Sequence, residues 1–311
     1  MSKKIGVIGF GSQAKRIIKI LEKSGKKISY IYKNNIKKNY NKKLTNKFGD
    51  LKKCNIIFIC SPNNTHFHYI KKLYKSRYLF CEKPPVDKIS DLKSLNKLNN
   101  SKIYYNFNYK FSKINKSISK AKNLNFGKLI YGNIIFGHGL ATKKSYKNTW
   151  RSSENKQGVY DIVGIHLIDL IINNFKVVVI KKKLVNFLKN NSPDNSFFTV
   201  KLENFAQIDC FTSYTSPYVQ KFNFIYENGI LEIANQSITF KGPRDTFDKK
   251  GFFISPKTLS KERLNNKKDY ENSLKQSVNY FIKISGNNRL FDLNKNKLSL
   301  ISNMLLLKGK N

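Results

Sequence analysis

Acidic residues are scarce in this chain. Only 19 Asp and Glu stand against 59 Lys and Arg, for a formal net charge of +40. Arginine is scarce as well: it supplies six of the 59 basic residues, although its planar fork is the side chain favoured for phosphate and base contacts. The lysines run along the whole chain with no single basic tail. Asn, Ile, Tyr and Phe are also heavily used, and with Lys they form the set that an AT-rich genome encodes. The charge is read as compositional drift on solvated faces, which attracts small anionic ligands. No nucleic-acid partner is expected. Cysteine is limited to Cys54, Cys60, Cys81 and Cys210, without C-x-x-C spacing. That excludes a disulfide framework and a zinc site, so no metal is expected, and it points to a reduced, cytoplasmic setting. No apolar run is long enough to span a bilayer. The start, Met-Ser-Lys-Lys, leads straight into a strand with no apolar signal-peptide region. A membrane partner is therefore not expected.

With 40% hydrophobic residues in 311 positions, the chain suits one large or two medium domains with a real core. Lys4 to Ile8 is a short apolar run, as a buried parallel strand would be. Gly9-Phe10-Gly11-Ser12-Gln13-Ala14 follows, and then Ile17, Ile18, Ile20 and Leu21 at helical spacing. Gly9 allows a tight turn, Gly11 lets the backbone approach a pyrophosphate, and Ala14 lets the helix pack on the strand. Free N–H groups at the helix start then face an anion. This predicts a dinucleotide-binding turn. The second strand should run from Lys27 to Tyr32. NAD-specific sites place an acid near its end, roughly 20 residues past the glycines. Here the end reads Tyr32-Lys33-Asn34-Asn35. Lys33 suits a 2′-phosphate, so NADP is favoured over NAD.

A second segment, Cys81-Glu82-Lys83-Pro84-Pro85, sets a lysine beside a proline where a strand should end. Pro84 fixes the backbone after Lys83 and biases that lysine towards an extended conformation. Strand and helix patterns alternate through the first 120 residues: strands at Asn55–Cys60, Tyr78–Cys81 and Ile103–Phe107, helices at about His66–Ser76 and Asp91–Leu98. Repeated βαβ units imply a doubly wound parallel sheet with its ligand crevice beyond the strand C-termini. Lys37–Lys47 is compositionally biased without forming a separate domain. From about residue 126 the pattern changes. Lys128–Gly137 reads as a strand and Gly158–Asn173 as one helix. Strand-like runs follow at Val177–Phe187, Ser196–Leu202, Ala206–Tyr214, Lys221–Glu227, Ile230–Ile233 and Ser237–Phe240. Asn228-Gly229 is a hairpin signal. Residues 242–267 read as a long polar loop, and Tyr270–Ile284 and Lys297–Leu307 as helices. The expected fold is α/β. A dinucleotide-binding Rossmann domain covers 1–120, and an α+β domain with a large, mostly antiparallel sheet covers 121–311.

These ordered motifs resemble the Gfo/Idh/MocA oxidoreductases, which include glucose–fructose oxidoreductase and inositol dehydrogenases. The resemblance rests on Gly9 through Ala14, Ser61-Pro62-Asn63-Asn64-Thr65-His66, Glu82-Lys83-Pro84, Asn108-Tyr109-Lys110-Phe111, and Gly158 through His166-Leu167-Ile168-Asp169. It covers roughly the first 170 residues. It implies NAD(P)-dependent hydride transfer at a secondary alcohol or ketone of a sugar, cyclitol or sugar nucleotide, and a homo-oligomer built through the second sheet. It also implies that Ser61, Pro62, Asn63, Thr65, His66, Glu82 and Lys83 join the glycine turn and Lys33 in binding the cofactor. Lys83 matches the lysine placed near nicotinamide and substrate, and His166 the residue assigned as proton donor or acceptor. The chemistry agrees: alcohol oxidation needs a base within hydrogen-bond reach with a pKa near the working pH, and His suits this. A lysine can polarise the oxygen or, near a positive nicotinamide, titrate lower. Tyr109, Lys110, Asp161 and Asp169 are possible substrate-binding residues. His138 is a further substrate-contact candidate, and as lone histidines His66 and His68 read as serving the turn and helix surface.

One departure matters. The family often carries Asp four residues before the histidine, where this chain has Ile162. Asp161 lies five before His166. On a 3.6-residue helix that rotates it by about 100° from the expected face. Asp169, three residues after His166, shares its face. Asp161 reaching the site by a local shift, Asp169 positioning substrate, and the acid being absent all remain open. The last would make the chain a non-redox, dinucleotide-binding member of the fold.

Overall fold

The computed structural model describes residues 3–35, 43–98, 102–152 and 158–308. Residues 37–42 of the lysine-biased stretch lie outside them. In the first unit, β1 (Ile5–Ile8) and β4 (Ile56–Ile59) bury all four of their residues, as central parallel strands covered on both faces must. With β2 (Ile28–Tyr32), β3 (Leu44–Thr45), β5 (Tyr78–Glu82) and β6 (Ile103–Asn106) they form a six-stranded sheet, order β3-β2-β1-β4-β5-β6. Every pairing in it is parallel. The order reverses beside β1, where a doubly wound sheet opens its crevice. Helix α1 (Ser12–Lys23) buries Ala14, Ile17 and Leu21, one stripe at helical spacing. Helices α2 (His66–Leu73) and α3 (Ile89–Asn96) follow β4 and β5.

The second unit begins with α4 (Lys113–Asn123), capped by Ser112, whose hydroxyl accepts the Asn115 N–H at 3.1 Å. Strand β7 (Leu129–Gly137) comes next, and then a π-helical turn, Tyr160–Gly164, that runs directly into α5 (Ile165–Asn174). The remaining strands are β8 (Val177–Val185), β9 (Asn195–Leu202), β10 (Gln207–Ser213), β11 (Val219–Tyr226), β12 (Gly229–Ala234), β13 (Ser237–Lys241) and β14 (Thr258–Arg263). They assemble in the order β14-β13-β12-β11-β7-β10-β9-β8. Only the β7–β10 pairing is parallel. A hairpin joins β11 to β12 where it was expected, but its two-residue loop is Glu227-Asn228 and Gly229 already pairs with Tyr226. Alternation is clear: Phe222, Phe224 and Tyr226 are buried, while Asn223 and Ile225 between them are half-buried and Lys221 before them is exposed.

Two expectations are corrected here. Residues 242–267 are not all loop, because β14 pairs with β13 at the sheet edge. Its sequence, Thr-Leu-Ser-Lys-Glu-Arg, is nearly all exposed, so it carries no apolar alternation, and the pairing rests on backbone hydrogen bonds. The segment from Gly158 is not one regular α-helix, because its first turn is π-helical.

Helices α6 (Asn266–Ile284) and α7 (Leu293–Leu307) close the chain. By compactness the chain divides into residues 1–108 with 272–311, and residues 109–271. The C-terminal residues, which the sequence pattern leaves with 121–311, thus group with the parallel sheet. Apolar packing explains this: Leu274, Val278, Phe281 and Ile284 share one buried cluster with Ile5, Val7, Ile17, Phe58 and Phe80. The rings of Phe281 and Phe58 meet edge-to-face at 5.3 Å. No described helix is long and apolar enough to cross a membrane. The described residues hold no group of three or more His, Cys, Asp or Glu arranged to bind a metal.

Candidate active site

In the first unit the glycine turn separates two demands. Gly9 has φ +94°, and a Cβ built there would lie 2.8 Å from the Cys60 carbonyl oxygen. The fold itself needs that glycine. Gly11 has φ −77°, and a Cβ there would meet no heavy atom within 4 Å. None of the described residues excludes a side chain at Gly11, which leaves room for a ligand. Gly11 is the N-cap of α1, with no side-chain cap and no acid in the first turn. The helix start therefore presents its N–H groups and positive dipole end uncompensated, as an anion site requires. Ala14 is fully buried, and Phe10 lies under the Lys15 ammonium at 5.2 Å. Lys33 follows β2, exposed, its N–H donating to Thr45 O at 3.0 Å.

The turn after β4 is internally braced. Ser61 Oγ and Thr65 Oγ1 lie 2.7 Å apart, and Thr65 Oγ1 donates to Pro62 O at 2.7 Å. Asn63 is 4% exposed, and its Oδ1 finds no hydrogen-bond partner among the described residues. Such an oxygen is costly to leave unsatisfied, so a donor from a ligand would fit there. His66 is buried, not a surface residue of the turn. Its Nδ1 lies 2.9 Å from Pro84 O and its Nε2 2.9 Å from Ser61 O. His68, on the same helix, packs edge-on against Tyr69 at 5.2 Å. His66 thus ties the β4–α2 turn to the segment that follows β5.

That segment is held from its other side by Glu82. The carboxylate accepts Gln13 Nε2 at 3.0 Å and Asn106 Nδ2 at 2.8 Å. Burial raises the Glu82 pKa, while the hydrogen bonds from Gln13 and Asn106 and the neighbouring Lys83 charge pull it down. Lys83 is therefore flanked by an anchored carboxylate before it and a carbonyl fixed by His66 after it. Gln13, Glu82 and His66, taken from three separate motifs, converge in this one cradle. With the space at Gly11 and the uncapped helix, they fit a dinucleotide.

In the second unit, His166 is half-buried on α5, and the Tyr109 ring packs edge-on against it at 5.0 Å. Lys110 Nζ lies 3.6 Å from Asp169 Oδ1. Asp169 is 1% exposed. It faces Lys110, so it belongs to an internal ion pair. Asp161 is 4% exposed, inside the π turn. There the Ile165 N–H reaches Tyr160 O, an i→i+5 bond. A π turn takes in one more residue than an α turn, so the 100° offset, which assumes a regular α-helix between Asp161 and His166, does not carry over to this stretch. Burial pushes the Tyr214 and Tyr160 hydroxyls up, with the Asp161 charge contributing to both. Tyr214 also packs on His138, ring centroids 4.9 Å apart, and burial lowers the His138 pKa.

Residues 3–104 match the model of the Gfo/Idh/MocA group, an oxidoreductase family with an NAD-binding Rossmann fold. The match covers about a third of the chain, the part that forms the parallel sheet, and the family it points to is one of oxidoreductases. No curated protein matches the sequence. Among solved structures, an enzyme assigned as an NADPH-dependent oxidoreductase from Desulfitobacterium hafniense aligns at 14% identity, covering 100% of this chain and 95% of that one, TM-score 0.82. A myo-inositol dehydrogenase from Corynebacterium glutamicum aligns at 17% identity, covering 98% and 95%, TM-score 0.75. A UDP-N-acetylglucosamine 3-dehydrogenase from Acidithiobacillus ferrooxidans aligns at 12% identity, covering 98% and 97%, TM-score 0.73. At these identities the likeness is one of fold. The cradle holds one residue that the motifs missed, Asn106. Its signal was present in the sequence, as a lone amide in the apolar run Ile103-Tyr104-Tyr105-Asn106-Phe107.

Proposed function

We propose that this chain is an NADP-preferring oxidoreductase for a secondary alcohol, or the matching ketone, of a sugar, cyclitol or sugar nucleotide. The observation that carries the reading is the π turn. It takes in one residue more than an α turn before His166, which supports Asp161 as the carboxylate of a redox site over a non-redox member lacking it. The dehydrogenases of inositol and of a sugar nucleotide among the fold neighbours support the substrate class. Lys33 supports NADP, since a cation there pairs with a 2′-phosphate and repels none of its charge.

The residues that would hold the dinucleotide are Gly9 through Ala14, Lys33, the Ser61–His66 turn, Glu82 and Lys83; when bound, its nicotinamide supplies the hydride acceptor or donor. In the oxidative direction Lys83 holds the substrate hydroxyl oxygen and His166 takes its proton. Asp161 stabilises the imidazolium that results, and Tyr109 packs against the ring to fix its plane. In the reductive direction His166 returns the proton to the new alkoxide. Asp169 and Lys110 fix one another, and through α5 they hold His166. A homo-oligomer through the open sheet face, where Phe197 is 48% exposed, and a cytoplasmic setting suited to four free thiols complete the proposal.

The test is direct. NADPH and NADH are titrated by fluorescence, and reduction of NADP⁺ and NAD⁺ is then followed with a panel of sugars, cyclitols and nucleotide sugars. Tight NADPH binding with turnover on one class is the expected result. Binding without turnover on any of them would return the non-redox reading, and no binding of either dinucleotide would remove both.

A further inference from the structure

Glu82 is the end of a longer chain of hydrogen bonds. Asn106 Oδ1 accepts from Ser277 Oγ at 2.6 Å, and Ser277 Oγ lies 2.8 Å from the Tyr104 hydroxyl. A serine hydroxyl has one proton. Ser277 gives it to Asn106, so Tyr104 must donate to Ser277. This fixes the Asn106 amide, with its oxygen towards Ser277 and its Nδ2 towards Glu82 at 2.8 Å. From the other side Arg16 Nη1 donates to Gln13 Oε1 at 3.2 Å, which turns Gln13 Nε2 towards the same Glu82 oxygen at 3.0 Å. Both arms end on the same carboxylate oxygen, Glu82 Oε1, through Gln13 Nε2 and Asn106 Nδ2. The relay runs Tyr104 to Ser277 to Asn106 to Glu82, with Arg16 and Gln13 meeting it from α1. Tyr104, Asn106 and Ser277 are 9%, 1% and 0% exposed, so water does not substitute for a missing member.

We propose that Asn106, oriented by Ser277 and Tyr104, is a positioning residue for the Glu82–Lys83 step, through which helix α6 sets the charge and orientation of Glu82 and hence the placement of Lys83. This rests on the reading of the cradle as a dinucleotide site. The physical reason is that a buried carboxylate stays ionised only while its donors are in place. The groups facing Glu82 are Gln13 on α1, Asn106 on β6, its neighbours Cys81 and Lys83, and Cys60 after β4. Both thiols are driven well above the usual range by burial, with the Glu82 charge adding to the effect. They are neutral at working pH and contribute no charge.

The sign follows. Burial already raises the Glu82 pKa. Removing a donor to the carboxylate raises it further, so the ionised form is lost at a higher pH. The experiment uses the full-length protein with three substitutions, Asn106→Leu, Ser277→Ala and Ser277→Thr. Two quantities are read: the titration of Glu82, from the infrared carbonyl band of its protonated form in ¹³C-glutamate-labelled protein, and NADPH affinity as a function of pH, by fluorescence. Asn106→Leu should move the Glu82 titration up by about one pH unit or more. The pH at which NADPH affinity falls off should move up with it. Ser277→Ala should shift both in the same direction by less, and Ser277→Thr, which keeps the hydroxyl, should match wild type. Unshifted titration and affinity in Asn106→Leu, with circular dichroism unchanged, would overturn the proposal. Should Asn106→Leu fail to fold, identical behaviour of Ser277→Ala and Ser277→Thr would overturn it. A wild-type protein that binds neither NADPH nor NADH strikes down the cofactor reading itself. Wild-type binding with unmoved variants strikes down only the relay.

Discussion

The two glycines of the nucleotide turn should fail in opposite ways. Gly9→Ala forces an alanine to φ +94° with its Cβ 2.8 Å from a backbone carbonyl oxygen. Left-handed strain at a non-glycine residue costs about 1–3 kcal/mol, and the contact with Cys60 adds to it because β1 and β4 are fully buried and cannot part cheaply. Gly11→Val changes little in the protein. The backbone there is extended, at φ −77° and ψ −175°, with open space around the Cβ position. Loss of a small N-cap costs under about 1 kcal/mol. The valine instead fills the place where a pyrophosphate must approach the helix start. NADPH affinity should fall at least about a hundredfold, or ~2.7 kcal/mol. Guanidinium unfolding midpoints and NADPH fluorescence titrations of the wild type and both variants make the comparison. Wild-type affinity in Gly11→Val refutes the assignment of that space to a ligand. A Gly11→Val midpoint as low as that of Gly9→Ala refutes the division of roles.

Lys33→Asp should weaken NADPH and spare or improve NADH; a change in the affinity ratio within about twofold, less than roughly 0.5 kcal/mol, would mark Lys33 as a surface lysine. Lys83→Ala and His166→Ala should bind dinucleotide almost normally but turn over at least about a hundredfold more slowly in steady-state assays. Asp161→Asn should match the loss in His166→Ala; wild-type kcat in Asp161→Asn would remove the carboxylate from the mechanism. Lys110→Met leaves the buried Asp169 without its cation and should lower stability by about 1–3 kcal/mol, read as a shift in the denaturation midpoint. Phe197→Asp should break the proposed homo-oligomer into smaller species by light scattering, and an unchanged mass would remove the interface from this face.

The parallel sheet was legible because its signals are local. Gly9 and Gly11 after an apolar run, and Lys83-Pro84 after another, mark strand ends whatever surrounds them. The second sheet was legible as strands but not at its edge, since β14 carries no apolar alternation and only its backbone pairing reveals it. The place of the last 40 residues was hidden for another reason: the burial of Leu274 and Phe281 against β1 and β4 depends on which apolar stripe each helix meets, and sequence spacing does not say. Of the site, the motifs carried the glycine turn, His66, Glu82 and Lys83. They could not carry Asn106 and Ser277, which are joined by hydrogen bonds across 171 positions. The angle between Asp161 and His166 could not be counted from the sequence, because 3.6 residues per turn assumes a helix type that this stretch does not adopt.

The π turn has a consequence for how the chain tolerates changes in length. One extra residue in an α-helix would turn everything beyond it by about 100°, and would send Leu167, Ile168 and Ile171 of α5 away from their buried positions. Here the slack is taken up inside Tyr160–Gly164, and the phase of all later residues is kept. Removing Ile162 or Val163 should let the turn tighten to an ordinary α turn, with Asp161 four residues before the histidine of α5 and the buried face of α5 unmoved. The deletion variant should fold and keep its activity, whereas a second inserted residue, with no wider turn to absorb it, should not.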